Sequence, residues 1–199
     1  MPDFIKIVLL LVVAYGLGCI STGYYVVRLL AGRDLRTLGS ASTGALNASR
    51  ILGKKGFVLT FLGDTIKGAV AMGIGVWMRE SPRVLVGILL VVVLGHIWPV
   101  QLHFHGGRGL ATALGAGLVF DYRLTLVVGL VALVLALITR QYNAGVLIAM
   151  AISPLVARWR TYDTPVVVGF IALAVIIWIA HWPHLVRMAS EIRTGLRRK

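Results

Sequence analysis

Seven apolar segments separated by charged residues dominate this chain, at about residues 4–27, 57–78, 84–103, 110–120, 124–139, 144–157 and 165–182. A helix needs roughly 20 apolar residues to cross the hydrocarbon of a bilayer. The first three segments and the last meet that length. Those at 110–120 and 144–157 are short, which predicts half-helices, or helices lengthened by polar ends buried in protein rather than lipid. The expected architecture is all-α: a polytopic integral membrane bundle of about seven transmembrane helices, two of them short, forming a single domain over residues 1–199. Composition closes off the soluble alternative. Hydrophobic residues make up 58% of the 199 and charged residues 14%, against roughly 45–50% and about 25% in soluble domains. The first segment is too long for a cleavable signal and lacks a small-residue cleavage site, so it is expected to be a membrane span.

The charges add a direction. There are 20 Lys and Arg against 7 Asp and Glu, a formal net charge of +13. In a soluble protein such an excess points to nucleic acid. In a membrane protein it reflects cytoplasmic loops and anionic lipid headgroups, or cations gathered for an anionic substrate; no nucleic-acid partner is expected. If the segments alternate in direction, residues 28–56, 104–109, 140–143 and 183–199 share one side. Arg28, Arg33, Arg36, Arg50, Lys54, Lys55, Arg108, Arg140, Arg187, Arg193, Arg197, Arg198 and Lys199 fall there. Lys6, Arg79, Arg83, Arg123, Arg158 and Arg160 fall on the other. This bias places the first group in the cytoplasm, with the N-terminus outside.

Three constellations can carry chemistry. Residues 39–50 read Gly-Ser-Ala-Ser-Thr-Gly-Ala-Leu-Asn-Ala-Ser-Arg. Glycines allow close backbone approach, Ser40, Ser42 and Asn47 offer hydrogen bonds, and Arg50 supplies a fork suited to phosphate. A small-residue loop capping a helix reads the same way. The second runs from Gly95-His96 through Pro99 to Gly106-Gly107-Arg108-Gly109, then Leu110-Ala111-Thr112. It resembles a phosphate cradle of exposed N–H groups, one cation and a helix N-terminus, although a tight turn between spans is the plainer alternative. The third is Asp64 and Lys67, on one helix face within an apolar span. They form either a structural ion pair or an extension of the anion site by Lys67. His96 and His181 end spans, as interfacial residues or proton carriers.

Absences narrow the field. Cys19 is the single cysteine, so no disulfide framework or Cys-based metal site exists. His103 and His105 have no acidic or thiol partner at ligand spacing; neither a metal nor a cofactor is expected. No His-x4-Asp acyltransferase dyad and no Gly-x-Ser-x-Gly elbow occurs.

These motifs resemble the acyl-phosphate-dependent glycerol-3-phosphate acyltransferases, the PlsY family of bacterial membrane enzymes. Gly39, Ser40, Gly44, Ala45, Asn47 and Arg50 match its first motif in order, and Asp64, Lys67 and Gly68 match its Asp-x-x-Lys-Gly. Gly95, His96, Pro99, Gly106, Gly107, Gly109, Ala111 and Thr112 match the next, and His181 and Arg187 fit the last more loosely. The chain departs from the pattern at Ala41-Ser42 (Gly-Asn in the family), Leu46 (Thr), Arg108 (Lys), Asn143 (Ser) and His184 (Asn).

The resemblance implies transfer of a fatty acyl group from acyl phosphate to the 1-hydroxyl of glycerol 3-phosphate, giving lysophosphatidic acid and phosphate, the first step of phospholipid synthesis. It implies a bacterial inner-membrane location, contact with membrane lipids, and cytosol-facing cationic loops above a hydrophobic groove. The catalytic set it implies is Ser40, Arg50, His96, Arg108 and His181. Substrate binding falls to Gly39, Ser42, Asn47, Lys67, Gly106, Gly107, Gly109, Thr112 and Asn143. A diverged non-catalytic paralogue, binding or transporting lipid, would carry many of the same residues, as would an acyltransferase with another donor or acceptor.

Overall fold

In the computed structural model, which describes residues 3–193, helices α1 (Asp3–Cys19), α2 (Thr22–Ala31), α3 (Ala45–Trp77), α4 (Pro82–Ile97), α5 (Leu110–Thr139), α6 (Tyr142–Trp159) and α7 (Thr164–Arg193) follow one another. No strand occurs among the described residues. The side chains of His184, Arg187 and the basic residues beyond it lie outside the described residues. Five stretches are long and apolar enough to cross a membrane: Asp3–Ala31, Ala45–Trp77, Pro82–Leu102, Leu110–Thr139 and Thr164–Pro183. Leu29, Leu137, Ile138 and Leu155 are all more than two-thirds exposed, an outer surface suited to lipid and not to water.

Helix breaks shape the bundle. The first apolar run is expected to be one span, yet it splits at Ile20-Ser21. The carbonyls freed by the split are taken by distant side chains: Gln101 donates to Cys19 O, and Lys67 Nζ donates to Ile20 O at 2.6 Å. Residues 45–56, expected to be loop, already belong to α3, which kinks at Gly53 (φ 59°, ψ −148°). Helix α5 breaks at Asp121 (φ −154°, ψ 99°), between the two apolar segments seen in the sequence. A Cβ on Gly117 would press against the side chain of Thr125. A straight helix would hold those two residues about 12 Å apart. The chain therefore reverses at Asp121, and the two halves of α5 form a hairpin.

Helix α4 lies at the centre, with Ile88, Leu89, Val92 and Val93 buried against its neighbours. Small residues let backbones meet: Gly18 and Gly95 face each other across α1 and α4, and Gly68 and Gly115 bring α3 against the first half of α5. Such close crossings give membrane helices the packing that apolar transfer alone cannot.

The loops separate into two ends. At one, Lys6 pairs with Glu80 (2.7 Å), Arg83 with Asp163 (2.6 Å) and Arg160 with Asp121 (3.0 Å). At the other, the Thr43 N–H donates to Gly106 O (3.2 Å) and Arg36 Nη1 donates to Leu102 O (3.1 Å). The two motif loops are thus docked on each other, at the end where the sequence places its excess of cations.

Candidate active site

The first motif loop is built around Asn47, in the first turn of α3 and almost fully buried. Its Oδ1 accepts from the Ser40 N–H (3.0 Å), and its Nδ2 donates to the carbonyls of Leu35 (3.1 Å), Leu38 (2.9 Å) and Ser42 (2.9 Å). One amide thereby satisfies backbone groups on both sides of Ser40. Ser42 Oγ accepts from the Gly44 N–H (3.2 Å). The Arg50 side chain lies along Gly39, where an added Cβ would sit 3.2 Å from Nη1. Ala41 occupies a left-handed conformation, φ 58°.

The second loop folds back over the end of α4. Gly106 N–H donates to Ile97 O and Gly107 N–H to His96 O, both at 3.1 Å. A Cβ on Gly107 would collide with the His96 ring, so only glycine lets this backbone lie on the imidazole. On the ring's other side, His96 Nδ1 stands 3.5 Å from Asp64 Oδ1, and Lys67 Nζ stands 2.9 Å from the same oxygen. Lys67, His96 and Asp64 are all buried. Gly109, at φ 83°, turns the chain into α5.

Between the loops lies a cavity of about 230 Å³. Ser40, Ser42, Asn47, Arg108, Asn143 and His181 line its polar side, together with Asp64 and His96, while Phe57, Phe61, Leu110, Leu114 and Tyr142 line the rest. Three helix N-termini converge on it: Gly44 to Asn47 of α3, Gly109 to Ala111 of α5, and Tyr142-Asn143 of α6. None has a side-chain cap. The positive ends of three helix dipoles and the Arg108 guanidinium give this chamber a chemistry suited to an anion. His181 is fully buried, and its Nδ1 lies 2.7 Å from Ile177 O. That carbonyl favours the proton on Nδ1 and leaves Nε2 as the ring's acceptor.

Leu110, Leu114 and Tyr142 also belong to a second cavity, about 270 Å³, between the α5 hairpin, α6 and α7. Its walls are almost wholly apolar: Leu89, Val128, Val146, Phe170 and Leu173 are among them. A phosphate-suited chamber therefore lies directly beside a hydrocarbon-suited groove, with Leu110, Leu114 and Tyr142 in the wall they share.

Residues 8–191 match the family model described as glycerol-3-phosphate acyltransferase. The chain belongs to that family. It is 40% identical over 178 residues to glycerol-3-phosphate acyltransferase 1 of Desulfitobacterium hafniense (strain Y51), covering 89% of this chain and 88% of the relative. It is 39% identical over 162 residues to the glycerol-3-phosphate acyltransferase of Clostridioides difficile (strain 630), covering 77% and 78%. Among solved structures it resembles the glycerol 3-phosphate form of PlsY, an integral membrane glycerol 3-phosphate acyltransferase, with a TM-score of 0.85 and 33% identity over 98% of this chain and 95% of that one.

The fold brings most of the sequence-derived site residues together, in three layers. Ser40, Ser42, Asn47, His96, Arg108, Gly109, Asn143 and His181 line the cavity. Gly39 and the exposed Arg50 lie against each other next to Ser40, outside the lining itself. Gly106 and Gly107 lie behind it against His96, and Thr112 is buried in the first turn of α5, its carbonyl against Gly68. Lys67 is turned toward Asp64 and Ile20 rather than lining the chamber. Sequence reasoning did not single out Tyr142, or the stacked pair Phe57 and Phe61, whose ring centroids are 5.7 Å apart. Their i, i+4 spacing was the available signal. Nor did it join Asp64 to His96, or Thr43 to Gly106, contacts between elements far apart in the chain.

Proposed function

We propose that this protein transfers a fatty acyl group from acyl phosphate to the 1-hydroxyl of glycerol 3-phosphate, forming lysophosphatidic acid and inorganic phosphate at the start of phospholipid synthesis. The observation that carries the reading is the adjacency of the two cavities: a chamber with three helix N-termini and Arg108, sharing Leu110, Leu114 and Tyr142 with an apolar groove. Both substrates carry phosphate, and only the donor carries a long hydrocarbon tail. In this reading the tail lies in the groove and the acyl phosphate group lies at its mouth.

The hydroxyl oxygen of the acceptor adds to the acyl carbon, and the bond from that carbon to the bridging phosphate oxygen breaks, its electron pair leaving with phosphate. Arg108, Arg50 and the convergent N–H groups stabilise charge on the carbonyl oxygen and on the departing phosphate. Ser40, Ser42 and Asn143 hydrogen-bond the substrates, and Thr112 is held in the α5 turn beside them. Asn47, Gly39, Gly106, Gly107 and Gly109 fix the loops. Lys67 and Asp64 brace His96 beneath the glycine-rich loop. A mixed anhydride is already activated, so holding two substrates in register supplies much of the rate. The hydroxyl proton passes to His181 Nε2 or to the donor's own phosphate.

The same reading makes residues 1–199 one acyltransferase domain with seven passes, in the bacterial inner membrane. Its N-terminus lies outside, and the motif loops and C-terminus lie in the cytoplasm, following the cation bias. The test is a donor comparison on purified protein. With glycerol 3-phosphate present, acyl phosphate should give lysophosphatidic acid and one phosphate per turnover, and acyl-CoA should give neither. A protein that binds these substrates yet releases no phosphate above a no-acceptor control is the non-catalytic paralogue instead.

A further inference from the structure

The apolar groove has a floor as well as a mouth. Both halves of α5 line it, as far as Gly117 and Leu124 beside the turn that joins them. That turn is clamped. Asp121 accepts from the N–H groups of Arg123 (2.9 Å) and Leu124 (3.1 Å), from Arg160 Nε (3.0 Å) and from the Tyr162 hydroxyl (3.1 Å). Burial and the neighbouring Asp121 push that hydroxyl up to about 12, so it remains a donor at neutral pH. Above the turn, the Phe120 ring packs on Tyr162 (5.3 Å between centroids) and on Phe170 (5.8 Å).

We infer that the α5 hairpin is a length gauge for the acyl donor, with Gly129 and Ala132 as the positions that set its usable depth. The inference rests on the acyl-transfer reading above. Along α6 the groove extends from Tyr142 to Ser153, about 17 Å at about 1.5 Å per residue, the length of an extended chain of roughly fourteen carbons. Gly129 lies in the wall partway down. A Cβ there would meet no atom within 4 Å. Gly117 and Gly145 differ: a Cβ on Gly117 would press on the Thr125 side chain of the other arm of the hairpin, and one on Gly145 would run into the α5 backbone at Ala132 and Ala136. Those two glycines serve helix packing, whereas Gly129 leaves space that the protein itself does not fill. Ala132 stands about one turn nearer the mouth on the same wall.

The experiment measures phosphate release by the purified full chain with acyl phosphates of about 8 to 18 carbons (about 10–22 Å extended, in proportion to the roughly 17 Å for fourteen carbons above), at fixed glycerol 3-phosphate. Gly129→Leu should move the preferred donor shorter by about four to six carbons, and Ala132→Leu by about three more, following their spacing along the helix. Gly73→Leu is the control: its Cβ also meets no atom within 4 Å, and it lines neither cavity. It should keep the unaltered profile. The graded shift separates a gauge from general damage, and either variant alone suffices if the other does not fold. An unchanged length profile, or an equal loss at every length, overturns the gauge and leaves acyl transfer standing. Absence of turnover with every donor in the unaltered protein overturns the acyl-transfer reading itself.

Discussion

The two ends of the bundle use charge in opposite ways. At the far end, carboxylates meet cations one to one: Glu80 with Lys6, Asp163 with Arg83, Asp121 with Arg160. At the motif end the described carboxylate outside the helices is Asp34, held by Arg36 at 2.7 Å. Arg28, Arg33, Arg50, Lys54, Lys55, Arg108 and Arg140 are gathered there with three helix N-termini. An end whose carboxylates are paired across elements fastens helices together. An end rich in surplus positive potential draws anions from solution. The same residue types therefore support stability at one end and, in the proposed reading, substrate binding at the other.

Substitutions at the two ends should accordingly fail in different ways. The largest effect is expected at Arg108, where Arg108→Ala should lower kcat/KM by about 10²–10³-fold with little change in the unfolding midpoint, by loss of a donor to developing charge. Arg108→Lys restores the charge and the residue usual in the family, and should recover most of the rate in a phosphate-release assay. Asn47→Ala comes next. It leaves the Ser40 N–H and three carbonyls without their partner, which should cost about 2–3 kcal/mol. Activity should fall with the loop, while Asn47→Asp, which keeps the acceptor, falls less.

At the far end, Asp121→Ala removes a helix cap and an ion pair together and should lower stability by about 2 kcal/mol, read as the unfolding midpoint in detergent. Ala41→Gly tests the motif end in the opposite direction. Relief of the left-handed alanine should raise stability by about 1 kcal/mol. Arg83→Ala should do least, since its pair with Asp163 is exposed. The Arg83 hydrogen bond holds the Asp163 carboxyl below its ordinary value. Its contribution is present above that ordinary value and lost as pH falls through the lowered one. The variant should therefore be slightly less stable than the unaltered protein above that window, and the two curves should merge as pH falls through it.

Much of this was legible in the sequence, because lipid imposes long apolar runs and leaves charges to mark the ends. The boundary between the segments at 110–120 and 124–139 is the Asp121 turn, and the cation bias separates the loops as the structure does. The split of the first span was not legible. Ile20 and Ser21 sit within an apolar run, and the partners that make the break tolerable, Lys67 and Gln101, lie 47 and 82 residues away. The start of α3 was hidden for a related reason. Residues 45–56 are too polar to read as a span, and their first turn is fixed by Asn47 reaching back to Leu35. Spacing brought Asp64 to Lys67, on the same helix, but not to His96, on another. Local patterns report local contacts; the floor of the site is made by long-range ones.

The most direct test is the rate of lysophosphatidic acid formation from acyl phosphate and glycerol 3-phosphate by the purified protein, measured side by side with Arg108→Ala at matched folded concentration. The account expects product and phosphate in equal amounts from the unaltered protein, and a rate at least about 100-fold lower in the variant. Equal rates in the two would contradict it, and would place the chemistry somewhere other than the chamber at the mouth of the groove.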